Sequence, residues 1–203
     1  MRYLYRMTHI ENIPHILRHG ITHRLSPNAN PEYRSIGSPA IIGKRDAQIK
    51  AIEGGGSISL GDFIPFHFYA RMPMLYNIQK GFNVTRINPS DIVYLILDLK
   101  SVTALPEITC YFSDRHAINK YARFYGIEHF EHMDSLLDLD AIRNNSWGED
   151  YSIREKKQAE FLVKGDIPTS AIFQIHCYDE AAKRRLLAMG VNVEVKVSPQ
   201  AYF

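Results

Sequence analysis

Cysteine is scarce in this chain: Cys110 and Cys177 are the two among 203 residues. Two cysteines build neither a disulfide framework nor a thiolate zinc site, and they suit a reducing cytosol. Long apolar runs are missing too. Stretches such as Val93–Leu97 are strand-sized, far short of the ~20 residues that span a bilayer. The opening MRYLYRMTHIEN lacks the apolar core of a secretory signal, so the expected location is the cytoplasm. No period of ~20–50 residues recurs, which excludes a repeat architecture. Gly54–Gly56 matches neither the Walker pattern nor GxGxxG, and neither a GxSxG elbow nor HExxH occurs.

What remains is an ordinary globular composition. Hydrophobic residues make up 45% and charged residues 23%, which excludes disordered and fibrous classes. The length favours a single domain spanning 1–203, large enough to need no metal or disulfide staple. The net charge of +2 hides an asymmetry. Residues 1–86 hold eleven Lys/Arg against five Asp/Glu, a balance of +6, leaving −4 for the remainder. A basic half admits a polyanionic partner, nucleic acid or a phosphate-bearing cofactor, and a solvated surface accounts for it equally well.

Hydrophobic patterning predicts a strand over Tyr3–Thr8, then a helix carrying Ile10, Ile13, Ile16 and Leu17, capped by Asn12 and ended by Gly20. Residues 22–39 read as a long irregular loop, and 41–52 as a short helix with Lys44, Arg45 and Lys50. Strands are predicted at 63–69, 92–99, 172–177 and 191–197, and helices at 113–124, 136–144 and 180–189. Glu155–Val163 fits helix or strand equally. The class expected is α+β, without clean βαβ alternation.

Three groups of residues carry possible chemistry. His15, His19 and His23 are spaced as zinc ligands, but Gly20 interrupts the helix and no carboxylate accompanies them, so a solvated face is favoured. Glu155 and Lys157, with Asp138 and Asp140 upstream, form the pattern of a magnesium-dependent nuclease. Gln158 and Glu160 would share a face if their segment is a strand, placing Glu160 at the edge of the core.

The wider pattern is more specific. The blocks YRMTHIENIPHILRHGI (5–21), RSIGSPAIIGKR (34–45), DFIPFHFYARMPMLY (62–76), FSDRHAI (112–118), ARFY (122–125) and REKKQAEFLV (154–163) are collinear. Together they resemble the DarT-type DNA ADP-ribosyltransferase toxins along nearly the whole chain. That resemblance implies an α+β ADP-ribosyltransferase-like fold of two packed β-sheets forming an NAD cleft, with peripheral helices. It implies transfer of ADP-ribose from NAD to a base of single-stranded DNA, thymine first and guanine second, with no metal. It also implies a macrodomain antitoxin of the DarG type as partner.

Carried over by position, the resemblance makes Glu160 and Arg45 catalytic. Glu160 would stabilise the oxocarbenium-like state at the ribose and take a proton from the attacking base. Arg45 would hold an oxyanion through its planar fork. Arg6, Thr8, Gly20, His67, Met74 and Arg45 are the expected NAD contacts, and His116, Arg115 and Arg71 the expected DNA contacts. The 22–39 loop is expected to act as a lid over NAD. Two readings of other classes stand beside this one: the metal-dependent nuclease, and a nucleic-acid-binding module without catalysis.

Overall fold

The computed structural model describes residues 1–148 and 150–203. In chain order the elements begin with β1 (Tyr3–His9), α1 (Ile13–His19), α2 (Pro39–Asp46), β2 (Ile49–Ala51), β3 (Ser57–Ser59) and β4 (Ile64–His67). Next come α3 (Pro73–Lys80), β5 (Ile92–Asp98), α4 (Leu99–Thr103), β6 (Thr109–Ser113), β7 (Phe124–Tyr125) and α5 (Met133–Leu136). The last third holds α6 (Leu139–Arg143), α7 (Tyr151–Lys157), β8 (Glu160–Lys164), β9 (Ile172–Cys177), α8 (Glu180–Ala188) and β10 (Glu194–Val197).

Eight strands form one ladder in the order β10-β9-β5-β1-β4-β8-β6-β7, and β2 and β3 form a separate hairpin. The ladder consists of two four-stranded halves. Within the first, β1 and β5 pair in register from Tyr3↔Asp98 to His9↔Ile92. Between the halves, β1 meets β4 at the single pair Tyr5↔His67. The α+β class is as expected, and the two packed β-sheets implied by the resemblance are here joined through that pair into one eight-stranded ladder.

β5 anchors the first half. Its alternate residues enter different cores: Val93, Leu95 and Leu97 face one cluster with Leu4, Phe66 and Phe161. Ile92, Tyr94 and Ile96 face another, with Leu75, Ile78 and Tyr202. A strand buried on both faces reads as a continuous apolar run, which is why this one was plain in the sequence. β9, α8 and β10 form a parallel βαβ unit at the edge, an alternation the sequence pattern alone did not suggest. The hairpin β2–β3 covers a third cluster made of Ile58, Leu60, Phe63, Ala117, Phe124 and Leu162.

Several local expectations give way. The 113–124 helix is absent: Ser113 ends β6, and the chain turns back to β7. Its intended caps are used elsewhere, since Ser113 Oγ donates to the Arg115 carbonyl and Asp114 accepts from the Arg123 N–H and the Arg115 guanidinium. The 41–52 helix stops at Asp46, and Lys50 lies on β2, because residues 49–51 pair with 57–59 across a turn of three positive-φ glycines. The 136–144 helix is broken at Asp138, whose side chain caps α6. The 155–163 segment is both things in turn, helix to Lys157 and strand from Glu160. Asn12 occupies the cap position of α1 without capping it. Its amide instead bonds Thr8 Oγ1 and the backbone of Arg34.

Candidate active site

The ends of three antiparallel strands come together at one edge of the second half. His67 closes β4, Glu160 opens β8 directly opposite it, and Ser113 closes β6 beside Glu160. The Glu160 side chain is 2% exposed. A carboxylate at that depth costs several kcal/mol unless it is paired and hydrogen-bonded. Each requirement is met. Arg45 Nη1 donates to Oε2 at 2.7 Å, and the Ala117 N–H donates to Oε1 at 3.0 Å. His116 Nδ1 lies 3.3 Å from Oε1, and the Glu160 N–H donates to Ser113 Oγ at 3.2 Å. Burial alone would raise this carboxyl's pKa. The Arg45 guanidinium, helped by the Ala117 N–H, outweighs it, so the group is held below its ordinary value and stays ionised at neutral pH. His67 is pushed down to about 4 by burial, so it faces Glu160 as a neutral imidazole.

Arg45 reaches this point from α2, a helix none of whose residues is buried. Its Nη2 is buried with no partner. A guanidinium with one arm on Glu160 and the other unsatisfied is a preset site for a ligand oxygen. Ala117 and His116 are presented by the turn that replaces the predicted helix. That turn is tied to the hairpin by Lys50 Nζ, which donates to the Asn119 carbonyl at 2.9 Å.

His116 also lines an open groove of about 1030 Å³, flanked by Tyr76, Trp147, Tyr151, Arg154, Glu155 and Gln158. Gln158 therefore stands near Glu160, but at the end of α7, where its Nε2 donates to the Arg154 carbonyl, and not on the strand. The remaining expected residues are dispersed. Arg6 and Thr8 line a small recess of about 20 Å³ with Asn12 and Tyr33, under the 22–38 loop. Arg6 Nη1 donates to the Pro65 carbonyl, and Thr8 Oγ1 accepts from Asn12. Gly20 has a structural reason to be glycine: φ is +80°, and a Cβ would lie 2.2 Å from the Ile167 oxygen. Met74 is half-buried on α3 against the second core. Arg115 pairs with its neighbour Asp114. Arg71, at φ 53°, lies 4.5 Å from the Phe203 ring, and its Nε is buried without a partner.

The nuclease constellation does not assemble. Glu155 accepts from Asn119, Asp138 pairs with Lys156, and Lys157 is buried and donates to the Ile142 carbonyl. Among the described residues no three His, Cys, Asp or Glu side chains converge as metal ligands. Ser113, the Ala117 N–H and Asn12 were missed. The turn and the two backbone donations that define them have no sequence signature.

A buried, arginine-paired glutamate at a strand end, beside a groove, is a fixed negative charge able to stabilise positive charge that develops on a bound ligand. Residues 5–203 match the family described as DarT, ssDNA thymidine ADP-ribosyltransferase. A DNA ADP-ribosyl transferase of Thermus sp. (strain 2.9) is 35% identical over 190 residues, covering 91% of this chain and 85% of that protein. The solved structure of Thermus sp. 2.9 DarT in complex with ADP-ribosylated ssDNA superposes with a TM-score of 0.85 at 30% identity, covering 99% of this chain and 96% of that one. Its complex with NAD+ gives 0.79 at 29% identity, over 99% and 97%. A transferase–glycohydrolase fusion protein of Thermosipho africanus is 24% identical over the whole of this chain, which spans 49% of it. The chain belongs to the DarT family of DNA ADP-ribosyltransferases.

Proposed function

We propose that this chain transfers ADP-ribose from NAD+ to thymine in single-stranded DNA, releasing nicotinamide, as the toxin of a toxin–antitoxin pair. The observation that carries the reading is the Glu160–Arg45 pair, with one guanidinium arm on the carboxylate and the other buried and unsatisfied. In the reaction Glu160 lies against the ribose and balances the positive charge that grows as the nicotinamide bond breaks. The same carboxylate then takes the proton lost by the attacking base nitrogen. The free arm of Arg45 holds an oxygen of the donor, and neutral His67 adds no competing positive charge. His116 stands between Glu160 and the groove, which holds the acceptor strand.

Gly20 and Met74 are donor contacts, and so are Arg6 and Thr8, which line the recess on the other flank. In this structure the 22–38 loop rests on them, with Arg34 tied to Asn12 and His15 to the Asn28 carbonyl. The recess of about 20 Å³ holds no more than one water, so the loop must lift for NAD+ to enter there and then serves as its lid. Arg71 and Arg115 complete the DNA contacts. The partner is a DarG-type macrodomain antitoxin that removes the modification, a pairing supported by the relative in which transferase and glycohydrolase are fused. No helix is long and apolar enough to cross a membrane among the described residues.

The test is the intact mass of a mixed-sequence single-stranded oligonucleotide after incubation with protein, NAD+ and EDTA. A gain of one ADP-ribose, placed on thymine by fragmentation, is expected. An adduct on guanine overturns the base assignment, and an unchanged mass overturns the activity.

A further inference from the structure

Exposed aromatic side chains gathered along one groove mark a surface that binds a partner or ligand. Tyr121, Tyr151 and Phe82 are 67%, 60% and 52% exposed, and all three line the groove beside His116. Deeper in the same groove lie Tyr76 and Trp147, which meet Phe203 edge-on in a three-ring cluster. Trp147 and Tyr76 are each 5.3 Å from the Phe203 ring, and the cluster angles lie between 80° and 87°.

A second regularity runs through these rings: all but Phe82 lie beside a cation. Lys120 Nζ lies 4.7 Å from the Tyr121 ring, the Arg154 guanidinium 5.1 Å from Tyr151, and Lys80 Nζ 5.8 Å from Tyr76. Beneath Trp147 the cation is Lys157, 5.8 Å from the indole and 1% exposed. Glu155 is the one carboxylate lining the groove among the described residues, and Asn119 Nδ2 occupies it at 2.6 Å. Rings at intervals with cations beside them are the arrangement that holds single strands, with bases on the π-faces and phosphates on the cations.

We infer that this ring–cation series is the track for the acceptor strand, with Trp147 as its central base-stacking platform and Lys157 as the residue that positions that platform. The inference rests on the proposed function for the identity of the strand and adds the residues that hold it. Lys157 is well placed for the role. Its ammonium donates to the Ile142 carbonyl, in the helix just before the Trp147 loop, and stands between the Tyr69 and Trp147 rings. The surface cations Lys80, Lys120 and Arg154 are left to meet phosphates.

Trp147 is the sole tryptophan, so its fluorescence reports on this groove alone. The experiment titrates the protein, without NAD+, with a short mixed-sequence oligonucleotide and with an abasic oligonucleotide of equal length. Binding is followed in parallel by anisotropy of a labelled strand. The expected result is quenching of Trp147 by the base-bearing strand and none by the abasic one. Trp147→Ala is expected to raise the oligonucleotide KM roughly ten-fold, the loss of one stacked base, with the effect on KM and not on kcat. Trp147→Phe, which keeps a ring, recovers most of it. Lys120→Gln lowers the slope of log affinity against log salt by about one. Strand binding seen by anisotropy with Trp147 emission unchanged, or a Trp147→Ala variant with the wild-type oligonucleotide KM, overturns the inference. A wild type that quenches but forms no ADP-ribose adduct overturns the proposed activity and leaves the track standing.

Discussion

The two halves of the sheet solve burial in opposite ways. In β10-β9-β5-β1 the central strand is apolar from Ile92 to Leu97, and each face meets its own core. In β4-β8-β6-β7 the strands are short, and two of them end in His67 and Ser113 where Glu160 opens the third. The apolar side chains of the first half are held by packing, and its few buried polar groups, such as Thr8 and Tyr94, by single hydrogen bonds. In the second half a buried carboxylate needs an arginine from α2, a backbone N–H from a turn and a neighbouring histidine. The halves touch at Tyr5↔His67, so the packed half can fix the position of the polar half without sharing its chemistry. Rigidity and reactivity are thus divided along the sheet, and substitutions in the two halves should fail in different ways.

The sharpest separation comes from Glu160→Gln. It preserves volume while removing the charge, and transfer should fall by roughly 10³-fold or more, while the chain stays folded at a lower melting temperature because Arg45 loses its ion pair. A quantitative oligonucleotide mass assay checks this, and retained transfer would break the division. The opposite failure is expected of Leu95→Ala in β5, buried on a face shared with both halves. Stability should drop by about 2–5 kcal/mol through cavity formation, read by urea denaturation, while transfer per folded molecule persists.

Arg45 tests how the polar half supports itself. Arg45→Lys keeps a charge but loses the second arm, and transfer should fall by about 10²-fold. Arg45→Met also removes the largest counterweight to burial at Glu160. The acid limb of the pH–rate profile should then move upward, because the carboxyl protonates at higher pH.

The smallest effect concerns His67. The unfolded chain binds its proton near 6.5, whereas the folded one resists to about 4. The unfolded state therefore holds more protons in that window, and stability falls as pH drops from about 6.5 towards 4. Glu160 adds to acid loss in the same direction, since its lowered pKa contributes stability that disappears as it protonates. His67→Asn should flatten the upper part of that acid decline. Thermal melts at a series of pH values decide it, and an unchanged slope would mean that His67 is not buried as a neutral group.

Strands such as β1, β5 and β9 were legible because period-two and continuous apolar patterns are local properties of the chain. Glu160 was legible as a residue type at the edge of an apolar run, and its role came from collinear motifs. The conditional reading of Gln158 and Glu160 as one strand face does not apply, because the chain changes from helix to strand at Gln158, a change for which EKKQAEFLV carries no local signal. The 113–124 segment misled for a related reason: Ser113 and Asp114 are good caps in isolation, but tertiary partners claim their oxygens.

By itself, the amino-acid order determined the class of the protein and its long buried strands through side-chain type and short-range spacing, and its collinear motifs singled out Glu160 as the proposed catalytic carboxylate. The tertiary structure alone decided that Arg45, 115 residues away in sequence, lies on Glu160. It alone placed the Ala117 N–H and His116 there, and set exposed rings beside cations along one groove. Those facts depend on which distant segments share a desolvated volume, and the free energy of pairing a buried charge appears only once the fold has removed the water.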